Sequence, residues 1–377
     1  MPATIRDVAK RAGVGVATVS RVLNNSGFVS AHARQSVTQA VADLSYVPNP
    51  TARRLSLGKT FTVAVIVPFF TRPSFVERLR GIDSVFAESD YDMIVFNVET
   101  IQKRDKFFAE VPRRDRTDGV IVVTLTPTDE HVAAFHDSGI PVVLVDTDHP
   151  QLPSVMEDSV LGGKLATQHL IGLGHHKIAY LSDVLDDVFS ASAASLRRLK
   201  GYRQAMQDAG FALNEAYLKS GRHSREEARR CAAELLALPD RPTAIFAASD
   251  TQAIGVMEAA RDAGLRVPDD LSVVGYDDLD VADYLGLTTV RQSLFESGRR
   301  GAQLLLDAID GHTSNGVREP VHEPMPVELI VRRSCVAIDV ADPQEHDSAP
   351  AVDAPAHNKI DEEVIAERTF NFPDEPQ

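Results

Sequence analysis

The chain opens on two short stretches with helical spacing. In IRDVAKRA, Ile5, Val8, Ala9 and Ala12 share one face, and in VATVSRVL, Val19, Val22 and Leu23 point inward. Gly13 supplies a turn and Val14 plugs the gap, so the pair reads as two helices around a tight turn. Thr18, Ser20 and Arg21 are left outward or oblique. A third helix is expected over residues 32–44, with Val37, Ala40, Val41 and Leu44 inward and Tyr46 and Val47 completing a small core. Helices this short need one another to persist. From Phe61 the pattern changes. Apolar runs such as FTVAVIVP, YDMIVFNV, GVIVVTL, PVVLVD, KIAYLS, AIFAAS and SVVGYDD alternate with amphipathic stretches, one of them marked by Phe75, Leu79, Ile82 and Phe86. Strands alternating with helices predict parallel, doubly wound sheets, and the units are too many for one small sheet, so two lobes are expected.

Charge separates the first segment from the rest. Residues 1–59 hold eight Lys or Arg against two acidic residues, a net of +6, whereas the whole chain carries −15. A basic island on an acidic chain is the footprint of a nucleic-acid reader, against the plainer reading of a solvated basic face. At 377 residues the chain exceeds one ordinary core. No apolar run approaches eighteen residues and the start has no signal-type segment, so a soluble, cytoplasmic protein with no membrane partner is expected. Cys231 and Cys335 lie far apart at no metal spacing and read as packing residues. His175 and His176, adjacent on a strand, would face opposite sides with no carboxylate at ligand spacing, so no metal is expected. The nearby GLG lacks the third glycine and upstream strand of a dinucleotide site. With no P-loop, Ser-His-Asp order or paired carboxylates, neither an enzyme nor a cofactor is indicated. Residues 337–377 carry eleven acidic groups against Lys359 and Arg368, a composition that favours disorder.

The string DVAKRAGVGVATVSRVLN closely resembles the helix-turn-helix signature of LacI/GalR-type transcriptional regulators. YVPNPTARRLSLGK resembles that family's hinge, and later stretches resemble its effector-binding core through about residue 336. The resemblance implies a helix-turn-helix domain at 1–48, a hinge helix at 49–58, and a core at 59–336 for effector binding and dimerisation. An acidic tail at 337–377 exceeds the family's needs. The core is expected to be two-lobed and periplasmic-binding-protein-like, with crossovers near 158–162, 288–292 and 324–326.

In such a motif the second helix enters the major groove, which directs attention to Val16, Ala17 and Arg21. Small apolar side chains there can touch a thymine methyl, while Arg21 can hold guanine in bidentate fashion. Thr18, Ser20 and Asn24 suit phosphate contact, with local capping an equal alternative for Thr18 and Ser20. Thr4 joins the set by resemblance. Gly15 stands where the family commonly has Ser, which removes a side-chain cap from the recognition helix. Asn49 followed by Pro50 starts a two-turn hinge well, and so short a helix needs a partner to order. The resemblance places Leu55 as a minor-groove wedge, Ala52 at the hinge–hinge contact and Arg53 or Arg54 near phosphate.

Ligands of doubly wound sheets bind beyond the carboxyl ends of strands. Those ends offer Phe69, Phe70, Thr124, Thr126, Asp146, Ser182, Asp183, Ser249, Asp250, Tyr276, Asp277 and Asp278. Arg198 is added because SLRRLKGY resembles the family's effector loop, with Arg197 as the alternative if the register slips. A guanidinium can grip adjacent hydroxyls, Asp277 can accept two more, and Phe69 or Phe75 can cover an apolar sugar face. Asp277 or Asp278 has a helix cap as its duller role. Asp158, in MEDSVLGGK, is either an effector contact or the cap of the following helix, and Ser249 departs from the family's usual Asn. The reading is therefore a sequence-specific repressor, a homodimer on double-stranded operator DNA, released by a small effector, expected to be a saccharide. The alternatives are a solute-binding protein that uses the same core for sugar capture, or an enzyme on the same scaffold.

Overall fold

The computed structural model describes residues 3–24, 27–47, 58–184, 191–311 and 320–338. The hinge candidates Asn49, Ala52, Arg53 and Leu55, and the tail from 339 on, lie outside the described residues.

Three helices form the first unit: α1 (Ile5–Ala12), α2 (Val16–Leu23) and α3 (Ala31–Asp43). Thr4 caps α1 reciprocally with Asp7, and Gly13, at φ 67°, ends it in the left-handed conformation that favours glycine. Val8, Ala9, Val19, Val37 and Ala40 are the buried centre, with Tyr46 packed against them. Val47 does not complete this core: it is 81% exposed, because three short helices enclose too little volume to reach it.

The remainder holds two six-stranded sheets. Strands β1 (Thr62–Pro68), β2 (Asp92–Val98), β3 (Gly119–Val123), β4 (Val142–Val145), β5 (Ser154–Glu157) and β11 (His322–Met325) form the first, in the order β11-β5-β4-β3-β1-β2 and parallel throughout. Strands β6 (Ile178–Asp183), β7 (Leu218–Gly221), β8 (Ala244–Ala247), β9 (Ser272–Asp277), β10 (Thr288–Gln292) and β12 (Val327–Ile330) form the second, in the order β12-β10-β9-β8-β6-β7. There only β12 runs antiparallel to its neighbour. The chain passes between sheets after Glu157, after Gln292 and at Pro326.

Every residue of β1 is buried, as expected of a parallel strand covered on both faces. Alternate residues feed two apolar clusters: Ala64 and Ile66 on one face, Val63, Val65 and Val67 on the other. Edge strand β2 instead leaves Ile94 and Val95 exposed.

The helices of the core are α4 (Pro73–Phe86), α5 (Ile101–Glu110), α6 (Asp129–Ser138), α7 (Ser159–Gly172), α8 (Ala191–Asp208), α9 (Arg225–Leu236), α10 (Asp250–Asp262), α11 (Asp280–Leu285) and α12 (Leu294–Ile309). Although α12 follows the second sheet's β10, its Ala302 and Leu305 pack into the first sheet's core. Cys231 and Cys335 are free thiols packed against the second sheet's clusters. The two histidines do point apart, but from the segment before β6 rather than from a strand. His175 is buried on Thr243, Ser272 and the Val336 carbonyl, and His176 lies against Phe211.

Candidate functional sites

Two sites carry the candidate chemistry. The first is α2. Val16, Ala17 and Arg21 are exposed along one side, Thr18 is half-buried, and Asn24 donates to Ser20 Oγ at 3.2 Å. Gly15 precedes the helix without a side-chain cap. Thr4 Oγ1 is engaged by Asp7 Oδ2 at 2.7 Å, which fixes the start of α1 and leaves the threonine exposed.

The second lies where the carboxyl ends of both sheets face each other. A narrow cavity of about 40 Å³, room for only a few water molecules, is lined from the first lobe by Arg72, Ser74, Phe75, Arg78, Thr124 and Asp146. Ser195, Arg198, His223, Ser249, Gln252, Asp277 and Gln292 line it from the second, with Asp183 at the end of β6. Thr124, Phe75, Arg198, Ser249 and Asp277 thus meet in one place. Phe69 and Asp158 do not. Phe69 packs on the core beneath the Arg72 guanidinium, 4.2 Å from its ring. Asp158 is exposed and accepts from Val160 N and Leu161 N, the cap of α7. Ser249 doubles as the cap of α10, accepting from Gln252 N.

Backbone strain concentrates at the carboxyl ends of the strands, where Thr124, Asp146 and Asp277 line the cavity. Of seven described non-glycine residues with positive φ, five sit just after or at strand ends: Phe69, Thr124, Asp146, Asp277 and Asp278. Such conformations persist only where the surrounding fold over-determines them, and they cluster at ligand sites.

Arg78 anchors the first lobe's half. Its side chain is 2% exposed and reaches Asp146 Oδ2 at 3.2 Å and Glu157 Oε1 at 3.3 Å, and it donates to Gln292 Oε1 across the lobes at 3.1 Å. Burial alone would discharge Arg78, but Asp146, Glu157 and Asp277 outweigh it and hold the guanidinium charged. Burial also opposes ionisation of Asp146, yet Arg78, Arg197 and Arg198 keep its carboxyl below the usual range. Glu157, fully buried, is pushed up by desolvation. In the second lobe Arg198 lies 3.8 Å over the Tyr276 ring and donates to the Ala248 carbonyl. Gln292 Nε2 donates to Asp277, whose carboxyl burial raises.

Asp183 spans both lobes. It accepts from His223 Nδ1 at 2.8 Å and Gln252 Nε2 at 3.3 Å, and lies 3.8 Å from Arg72 Nη1. Desolvation would raise its carboxyl, but His223, Arg72 and Arg198 hold it below the ordinary range. Arg78 Nε, Arg198 Nε and Asp146 Oδ1 are buried with no hydrogen-bond partner among the described residues. Buried polar atoms are normally satisfied, so these leave hydrogen-bonding capacity unspent at the cleft.

Sequence reasoning passed over Arg72, Arg78, Ser195, His223, Gln252 and Gln292. A signal existed only for Arg78, a cation on the apolar face of α4 marked by Phe75, Leu79 and Ile82. Among the described residues no group of His, Cys, Asp or Glu is placed to hold a metal, and no helix is long and apolar enough to cross a membrane.

A basic helix-turn-helix unit joined to a two-lobed ligand-binding core defines a ligand-responsive DNA-binding regulator. Residues 4–49 match the family described as bacterial regulatory proteins, lacI family, and residues 167–335 match the periplasmic binding protein-like domain. The HTH-type transcriptional repressor PurR of Vibrio atlanticus (strain LGP32) is 33% identical over 342 residues, covering 89% of this chain and 98% of that protein. Among solved structures, the lac repressor dimer bound to operator and the anti-inducer ONPF aligns with a TM-score of 0.76 at 28% identity, covering 89% of this chain and 100% of that one. The transcriptional regulator CelR–cellobiose complex aligns at 0.64 and 32% identity, over 88% and 99%. The chain belongs to the LacI family of bacterial transcriptional regulators. It is a DNA-binding regulator and not an enzyme.

Proposed function

We propose that this protein is a homodimeric repressor that reads a palindromic operator through α2 and releases it when a saccharide closes in the cleft. The carrying observation is the cleft's chemistry. Two buried arginines, Arg78 and Arg198, and the carboxylates Asp146 and Asp277 come from both lobes, with unpartnered donors and an unpartnered acceptor among them. A hydroxyl-rich, neutral ligand both donates and accepts, and so satisfies both kinds of group. Among the described residues, Phe75 lines the cavity and can cover one face of a sugar ring. The CelR–cellobiose complex supports a saccharide in this fold, and the operator-bound lac repressor supports a dimer with one recognition helix per half-site.

The Arg72–Asp183 and Arg78–Gln292 contacts cross the cleft, so a sugar ring enters only when the lobes part. Effector binding then biases the lobe arrangement, and through the hinges the spacing of the two recognition helices. Such coupling is typically about 1–3 kcal/mol. In this reading Leu55 wedges the operator centre, with Asn49, Ala52 and Arg53 supporting it. A thermal-shift screen across saccharides, nucleosides and purines tests the ligand class, since a ligand at a hundred times its Kd adds about 2.7 kcal/mol. Stabilisation by a saccharide is expected, and a response confined to nucleosides or purines overturns that class. Asp277→Ala is expected to abolish the response while retaining an operator selected from random duplexes, and an intact response would remove Asp277 from the site.

A further inference from the structure

The two arginines of the cleft are seated in the same way. Gly163 lies five residues past Asp158, the N-cap of α7 where the chain has just left the first sheet. A methyl built on it would stand 2.2 Å from the carbonyl oxygen of Arg198. Gly298 lies five residues past Ser293, the N-cap of α12 where the chain has just left the second sheet. A methyl there would stand 2.1 Å from the carbonyl oxygen of Arg78. Real Cβ contacts are never so short, so in both lobes the backbone of the arginine itself rests against a crossover helix through a glycine.

Each crossover helix also touches what holds the arginine's side chain. A methyl on Gly162 would meet the Tyr276 hydroxyl at 2.1 Å, and that ring lies under Arg198. A methyl on Gly301 would meet Val145 Cγ2 at 2.4 Å, next in sequence to Asp146, the ion-pair partner of Arg78. Packed backbones transmit displacement because nothing compressible lies between them.

We infer that Gly163 and Gly298 are positioning residues that tie Arg198 and Arg78 to the two crossover helices, so that rotation of the lobes moves the gripping guanidiniums directly. The functional meaning rests on the effector reading of the cleft, but the geometry is tested without any effector.

Arginine modification by phenylglyoxal, read residue by residue by mass spectrometry on the full chain, reports how well each guanidinium is held. Both are buried and start protected. Gly163→Ala is expected to speed labelling of Arg198 about tenfold while leaving Arg78 protected, and Gly298→Ala to do the reverse, as selective local opening requires. Gly172→Ala, on α7 with open space around it, is expected to change neither. Cooperative melting in each variant shows that the fold is intact. Unchanged labelling in folded variants, or both arginines exposed together by either substitution, overturns the inference, the latter being general loosening. Should an alanine at 163 or 298 prevent folding, Gly162→Ala and Gly301→Ala take their place, since the nearest atoms they meet are side chains. Exposure of Arg198 and Arg78 respectively, reversed in part by Tyr276→Phe and Val145→Ala, is then the supporting result, and no exposure the overturning one. Failure of Arg198→Ala to weaken saccharide stabilisation would instead count against the effector reading and leave the seating intact.

Discussion

Arg21 and Arg78 are both placed to recognise something, in opposite physical settings. Arg21 stands exposed on a helix whose unit buries five of its described residues, so its charge costs the fold little. Arg78 is enclosed with Asp146 and Glu157 and is part of what keeps two carboxylates tolerable inside the protein. An exposed cation can therefore change with the operator at no cost in stability. A buried one is bound to its partners, and any change there alters the fold and the switch together.

Substitution separates the two most sharply. Arg78→Ala is expected to destabilise the core by about 3–5 kcal/mol, since it removes the ion-pair partner that buried Asp146 and Glu157 share. Urea unfolding measures this, and the deficit should shrink as the pH falls and the carboxyls take up protons. Arg21→Ala should leave the urea midpoint within about 0.5 kcal/mol of the parent. Equal losses in the two variants would erase the contrast.

An intermediate case is Asp183, whose carboxyl is held low by His223 and Arg72 against the cost of burial. A depressed carboxyl adds stability above the ordinary carboxylate range and loses it as pH falls through the folded value. Asp183→Asn should therefore cost about 1.5–3 kcal/mol at neutral pH, as for a hydrogen bond to a charged group, and converge with the parent in acid. A gap that persists in acid would show the effect to be steric.

On the DNA side, Arg21→Ala should lose about 1–3 kcal/mol of discrimination at one base pair, read by competition between operator variants. An unchanged preference would make it a phosphate contact. The smallest effect is expected of Gly15→Ser, which supplies the cap that α2 lacks and slows its amide exchange by a few tenths of a kcal/mol.

The helix-turn-helix was legible because every residue that makes it lies within one contiguous stretch. The turn at Gly13 and the inward Val8 and Val19 interact with neighbours along the chain or one helix away. The cleft was legible as a set of strand ends, with Phe75 and Arg198 added from helical segments. Asp158 and Ser249 show why: a polar residue just before a helix serves equally as cap or ligand contact, and the distinction depends on which way the helix is aimed. Asp158 caps outside the cavity, whereas Ser249 caps and still lines it. Strands β5 (SVME), β7 (LKSG), β11 (HEPM) and β12 (VELI) had no continuous apolar run to announce them, whereas the equally short β4 (VVLV) and β8 (AIFA) are wholly apolar.

The sequence by itself determined the two periodicities, the basic island and the family's motifs, because propensity, charge and hydrophobic spacing are local properties. Only the tertiary structure decided that Arg78, from α4, would meet Asp146 from β4, Glu157 from β5 and Gln292 from β10, and that Gly163 and Gly298 would seat the two arginines. The Arg78–Gln292 contact alone joins residues 214 positions apart and crosses between the two sheets. Nothing along the chain reports which strand ends will converge until both sheets have packed and the crossover helices have closed over them.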